Sequence, residues 1–279
     1  MVNAMTQHEK AKIFRRLHER SGIFLLPNPW DVGTARILTA LKFEALATTS
    51  AGFGFSQGIL DHIGACSREA ALAHAKEIVE STMLPVSADL ENGYGDSPEE
   101  VQKTIYAAAD VGLVGCTIED TSGLDDKPIY DMSLAVERIS AAVEAVDKLD
   151  FDFILTARAE NYLHGRPDLD DTLKRLQAFE AAGADVLYAP GLPDLDCIRT
   201  VCSAVTKPVN VVAGIGLKGI TLADLEQCGV RRVSTGSSLA RTAFGSTITA
   251  AKAMLQDGSF TAFDSAATFS EIKALLSVG

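Results

Sequence analysis

The stretch Ser87-Ala-Asp-Leu-Glu-Asn-Gly-Tyr-Gly95 follows the apolar run "MLPV" (83–86) and carries two carboxylates, Asp89 and Glu91, where that run ends. Apolar residues that lead into acids and then into glycines read as a buried strand leaving the core through a turn. The pattern recurs. The strand "LPVSAD" (84–89) has counterparts in "IFLL" (23–26), "ALAT" (45–48), "GCTIE" (115–119) and "FDFILTAR" (151–158). "DVLYA" (185–189), "PVNVVA" (208–213) and "VRRVSTG" (230–236) complete a set of eight.

Between these runs, segments such as "SREAALAHAKEIVEST" and "SPEEVQKTIYAAADVG" place apolar residues at i, i+3, i+4 and i+7, the helical period. Ser67, Ser97-Pro98 and Asp131 supply N-caps, and glycines in "AAGAD" (181–185) and "QCGV" (227–230) stand where helices end before strands. Eight strands alternating with helices in a 279-residue chain predict a single (β/α)8 TIM barrel domain over about 21–256. A doubly wound open sheet is disfavoured, because no GxGxxG follows the first strand. After about residue 245, "STITAAKAMLQDG" and "FDSAATFSEIKALLS" predict two further helices, with a helical extension over about 257–279 that could pack on a neighbouring subunit.

A net charge of −12 without a Lys/Arg run argues against nucleic acid as a partner. No apolar run reaches the roughly 18 residues that span a bilayer, and the polar N-terminus lacks a signal peptide's apolar centre. Five cysteines without a CxxC pair suit reduced thiols, and the expected location is cytoplasmic.

In a barrel, chemistry collects at the C-terminal strand ends. Strand two exits into Ser50-Ala51-Gly52, strand three into Asp89 and Glu91, strand four into Glu119 and strand five into Arg158, while Asp61 lies in the loop after strand two. Any one of these acids could be a solvated loop residue. Four acids on one rim repel one another unless a cation neutralises them, and hard oxygen ligands favour Mg²⁺ or Mn²⁺. The five histidines show no zinc spacing such as HExxH. Small residues at Ser50–Gly52 let backbone N–H groups approach an anion, and Arg158 offers a guanidinium for a carboxylate, though an ion pair with Glu160 or Asp61 would also satisfy it.

Taken together, "LPNPWDVGTARIL", "TTSAG", "DLENGYG", "TIED", "TARAE" and "GVRRVSTGSSLARTA" resemble the isocitrate lyase/phosphoenolpyruvate mutase superfamily. The resemblance implies a (β/α)8 barrel, commonly with a C-terminal helix exchanged between subunits of a homodimer or homotetramer. It also implies Mg²⁺ and a small-molecule oxo or hydroxy acid or its enolate. By position, Asp89 resembles the direct metal ligand, while Glu91, Glu119 and Asp61 match acids that hold metal-bound waters. Ser50, Ala51 and Gly52 match the backbone that binds the oxo-acid carboxylate, and Arg158 the arginine at the substrate's far end. Glu91 is one methylene longer than the commoner Asp.

The lyase branch carries Lys-Cys-Gly-His after strand four, and the loop here, "EDTSGLDDKPIYDMS" (119–133), has neither cysteine nor histidine. The phosphonate branch places an Asn in this loop and a His after strand six, where this chain reads "YAPGL" (188–192). Decarboxylation needs no acid in the loop, since carbon dioxide departs unassisted. The expectation is an oxaloacetate-type decarboxylase or C–C lyase working through an enolate. Phosphonopyruvate-type P–C chemistry and a non-catalytic oxo-acid binding protein are the alternatives. Residues 121–132 read either as a lid or as a solvated loop. For His164 and Asn161, after strand five, a surface role is expected.

Overall fold

The computed structural model describes residues 5–60 and 62–277. Among these, β1 (Phe24–Leu26), β2 (Leu46–Ala47), β3 (Val86–Asp89), β4 (Gly115–Glu119), β5 (Ile154–Arg158), β6 (Val186–Tyr188), β7 (Val209–Val212) and β8 (Arg232–Ser234) form one parallel sheet. Its order runs β1-β8-β7-β6-β5-β4-β3-β2. Across the remaining seam Ala47 N–H donates to Pro27 O at 3.1 Å, and Asn28 Nδ2 donates to Thr48 O at 2.7 Å. Asn28 Oδ1 also accepts from the Thr235 and Gly236 amides, so one side chain ties the exits of β1, β2 and β8 together. The sheet is a nearly closed (β/α)8 barrel.

Helix α1 (Gln7–Glu19) lies before β1, and α2 (Val32–Ala40) follows it. The short α3 (Ser50–Ser56) and then α4 (Arg68–Glu80) lead to β3, followed by α5 (Pro98–Asp110), α6 (Met132–Val146), α7 (Leu169–Ala181), α8 (Leu195–Ala204) and α9 (Leu222–Gln227), with α10 (Ser238–Asp257) after β8. Helix α5 shows how the sequence builds such an element. Ser97 Oγ accepts from Glu100 N–H, Pro98 occupies the first turn, and Val101, Thr104, Ile105 and Ala108 present one buried stripe to the sheet. Burying Val101 and Ile105 is worth about 1.5–3 kcal/mol each. Asp131 departs from its expected part: it starts α6 without a side-chain cap, because its carboxylate is engaged by Lys127.

The inside of the barrel is divided along its axis. At the N-terminal end Phe14 of α1 plugs the floor among Phe24, Ala45, Ile154 and Val186. Between strands and helices runs a second, larger core that includes Leu46, Ile105, Ile118, Leu155 and Phe179. Cys116 belongs to it, fully buried in β4, and all five thiols are free.

The two further helices expected near the C-terminus are present with different bounds. "STITAAKAMLQD" is the second half of the 20-residue α10, and a 3₁₀ turn at Thr261–Ser265 precedes α11 (Phe269–Leu276). Gly258 in the left-handed region ends α10, and a capping box of Thr268 and Glu271 starts α11. α11 lies against α2 of its own chain. Among the described residues no helix is long and apolar enough to cross a membrane.

Candidate active site at the barrel mouth

Arg158 is the last residue of β5, and its register partner on β4 is Glu119. Inward-facing positions alternate, so Arg158, Glu119 and Asp89 rise into the mouth together from adjacent strands. All three guanidinium nitrogens are taken by different carboxylates. Nη1 meets Asp89 Oδ1 at 3.0 Å, Nη2 meets Glu119 Oε2 at 3.0 Å, and Nε meets Glu160 Oε1 at 2.8 Å. Arg158 is thus paired with Glu160, as one reading of the sequence allowed, and also with both rim acids. Three acids share one cation, which leaves an excess of negative charge in a nearly dry setting.

The electrostatics follow. Burial raises the Glu119 carboxyl well above its ordinary range, and Arg158 only partly offsets this. Burial likewise pushes Glu160 up to about 6. Burial opposes the charge on Arg158, yet Glu119, Glu160 and Asp89 together raise it above the usual arginine range. Its ring neighbour is Tyr188, whose centroid lies 5.1 Å from the guanidinium carbon.

Asp89 is held from several sides. Ser50 Oγ donates to Oδ2 at 2.8 Å and Thr117 Oγ1 to Oδ1 at 3.1 Å, while the Ser50 amide lies 3.3 Å from Oδ2. Glu119 and Glu160 owe their places to the network behind them. Asp120 accepts from Glu160 N–H and from Arg175, which also holds Tyr130 O and Asp171. Asp89, Arg158, Ser50, Ala51 and Tyr188 line a cavity of about 140 Å³ whose deeper wall includes Asn210, Arg232 and Ser234.

The remaining predicted residues divide. Ser50, Ala51 and Gly52 are not an open strand exit: they form the first turn of α3, capped by Thr49. Ser50 and Ala51 face the cavity, whereas Gly52 N–H bonds Thr49 Oγ1 and its missing side chain leaves room for packing; a Cβ there would meet Thr49 Cγ2 at 2.5 Å. Glu91 sits with φ of 48° and directs Oε2 to the Gly64 amide at 3.0 Å, toward the loop after α3 rather than onto Arg158. Asp61 lies outside the described residues. His164 is half-buried rather than simply exposed: its Nε2 meets Thr121 Oγ1 at 3.1 Å and links the loops after β4 and β5. Asn161 is fully buried on Asp171. Residues 121–130 fold as a hairpin, with Thr121 bridging Ile129 and Ser122 N–H donating to Pro128 O.

Among the described residues no three His, Cys, Asp or Glu side chains group in a way that would hold an ion. Mg²⁺ does not require such a cage, since it takes one or two carboxylates and keeps several waters. Asp89 and Glu119 suit it in donor chemistry, as hard oxygens in a cluster with too little positive charge.

An acid–arginine cluster over a polar cavity, at the C-terminal ends of barrel strands, has the layout of a barrel enzyme. The chain belongs to the phosphoenolpyruvate phosphomutase family, whose model matches residues 14–255, within the isocitrate lyase/phosphoenolpyruvate mutase superfamily of enzymes acting on C–C or P–C bonds. It is similar to a provisionally assigned lyase/mutase from Burkholderia cenocepacia J2315, with 53% identity, a TM-score of 0.93 and coverage of 96% of this chain and 95% of that one. The oxaloacetate decarboxylase of Ectopseudomonas mendocina is 28% identical over 76% of this chain and 73% of its own length. The 2-methylisocitrate lyase of Escherichia coli is 26% identical over 74% and 70%.

Proposed function

We propose that the chain is a Mg²⁺-dependent enzyme, with Mn²⁺ as a substitute ion, that acts on an α-oxo or 2-hydroxy dicarboxylic acid through its enolate. The favoured reaction is oxaloacetate-type decarboxylation or a related C–C cleavage. The observation that carries this reading is the gathering of Asp89, Glu119 and Glu160 around Arg158 at the mouth of a small polar cavity. Asp89 would hold the ion directly, with Glu119, Glu91 and Asp61 holding its water network. A bound divalent cation supplies positive charge where the enolate oxygen develops.

The residues of the chain do the rest. At the start of α3 the Ala51 amide is offered to the oxo-acid carboxylate, while Ser50 holds Asp89 in place. Arg158 grips the distal carboxylate while Glu160 keeps its Nε fixed. The 121–130 hairpin, tied to His164, closes over the mouth to exclude water. That hairpin offers no thiol or imidazole, and Cys116 is buried in β4 with burial raising its pKa, so neither supplies a cysteine acid to the leaving group. This favours loss of carbon dioxide over departure of a carbanion that must be protonated in step. P–C cleavage is the runner-up, supported by the family the chain matches.

A screen of oxaloacetate, phosphonopyruvate, 2-methylisocitrate and alkylmalates with Mg²⁺, following pyruvate release, tests the reading. Oxaloacetate is expected to be turned over fastest; preference for 2-methylisocitrate would defeat the argument from the missing cysteine. Exposed apolar residues on α10 and α11, including Phe244, Ile248 and Phe269, support a homodimer or homotetramer, in which exchange of the C-terminal helix would take α11 off α2 of its own chain. Solution scattering that fits only a monomer would exclude that assembly.

A further inference from the structure

The uppermost inward positions of the strands divide the mouth into two unlike halves. From β3 to β5 they carry charge, as Asp89, Glu119 and Arg158. From β6 to β8 they carry none. Alternation along a strand sets Pro190 above Tyr188, Val212 above Asn210 and Gly236 above Ser234, and all six line the cavity. β6, β7 and β8 are consecutive neighbours in the sheet, so their exits form one continuous wall. Ile215 from the loop after β7 and Leu163 from the loop after β5 complete it. Glycines fix how these side chains lie: a Cβ on Gly236 would stand 3.2 Å from Val212 Cγ2 and 4.0 Å from Ile215 Cδ1, and one on Gly191 would stand 2.9 Å from Leu163 Cδ2. Leu163 thus leans over the β6 exit, yet it stays 45% exposed at the rim of the cavity. The side chains of Leu163, Pro190, Val212 and Ile215 neither donate nor accept hydrogen bonds. The polar groups beneath them are engaged with one another, since Arg232 Nε donates to Asn210 Oδ1 at 2.8 Å and Asn210 Nδ2 to Ser234 Oγ at 3.0 Å.

We infer that this apolar half receives a short alkyl group on C3 of the ligand, which makes Leu163, Val212 and Ile215 determinants of specificity. The inference rests on the dicarboxylic-acid reading above and names the substrate class within it, a 3-alkyl oxo or hydroxy acid. With one carboxylate at the Ala51 amide and the other at Arg158, the carbon between them turns its remaining substituent to the β6–β8 wall. An alkyl group gains there by leaving water, whereas a hydroxyl would surrender its water and meet no free partner. One carbon more or less in such a pocket changes binding on the order of 10-fold.

Three ligands that differ only at C3 test this by calorimetry with Mg²⁺ present: malate with hydrogen there, 3-methylmalate with methyl and tartrate with hydroxyl. 3-Methylmalate should bind on the order of 10-fold more tightly than malate, and tartrate no more tightly than malate. Leu163→Ser, at a half-exposed loop position, should reduce the advantage of 3-methylmalate over malate several-fold. Val212→Thr, which exchanges a methyl for a hydroxyl at nearly constant volume, should narrow the gap between 3-methylmalate and tartrate. Both variants are read as a ratio of two dissociation constants, which partial loss of folded protein leaves untouched. Equal affinity for malate and 3-methylmalate, tighter binding of tartrate, or a methyl preference that survives in both variants would overturn the inference. So would oxalate binding without binding of any of the three. Failure of the wild type to bind oxalate with Mg²⁺ would instead overturn the oxo-acid reading on which the inference rests.

Discussion

The two ends of the same eight strands are built on opposite principles. At the floor, Phe14, Phe24, Ile154 and Val186 fill the barrel with apolar side chains, and the buried Arg232 beside them donates to the neutral oxygens of Asn210 and Thr156. At the mouth, three carboxylates crowd one arginine and two of them are raised in pKa by burial. The floor gains stability from burial. The mouth forgoes it, holding charge where an apolar set of similar volume would be at least as stable. Structure and chemistry are separated by roughly one strand length, so substitutions at the two ends should report on different quantities.

Asp89→Asn should show the largest effect. Turnover should fall at least 10²–10³-fold, on the order expected for loss of a preorganised charge-stabilising group. The melting temperature should hold or rise, because one of three crowded acids has been neutralised. Phe14→Ala should do the reverse. A cavity at the floor should cost about 3–5 kcal/mol in denaturant unfolding, with kcat/KM of the folded fraction unchanged.

The pH dependence of stability separates the two ends further. Burial, followed by the nearby Arg232, pushes His18 down to about 3, below its unfolded value near 6.5. Between those values the unfolded chain binds a proton that the folded chain refuses. Stability is therefore complete above about pH 6.5 and falls as pH drops toward 3, at up to about 1.4 kcal/mol per unit. His18→Gln should flatten that slope in urea titrations across the window. Ser97→Ala, remote from both ends, should cost only about 1 kcal/mol through the lost α5 cap and leave turnover unchanged.

The mouth was more legible in the sequence than the floor, for a physical reason. All eight strands announce themselves as apolar runs between turn residues, and acids at their exits have no place in a core, so Asp89, Glu119 and Arg158 stood out. The plugging role of Phe14 did not, because α1 reads as a polar amphipathic segment whose buried face has meaning only once the barrel is closed beneath it. Ser50–Gly52 read as an exit of small residues because neither Ser nor Gly favours helix interiors, yet Thr49 caps them into α3. Asn28 and the chain from Arg232 through Asn210 to Ser234 escaped notice because their partners lie on strands distant in sequence. The loop position of His164 suggested solvent, and only the fold brings it to Thr121.

Calorimetric titration of oxalate into wild-type protein and Asp89→Ala, with and without Mg²⁺, tests the central claim most directly. The account predicts binding to the wild type that requires Mg²⁺ and disappears in Asp89→Ala. Oxalate binding that is indifferent to Mg²⁺, or retained in Asp89→Ala, would contradict it.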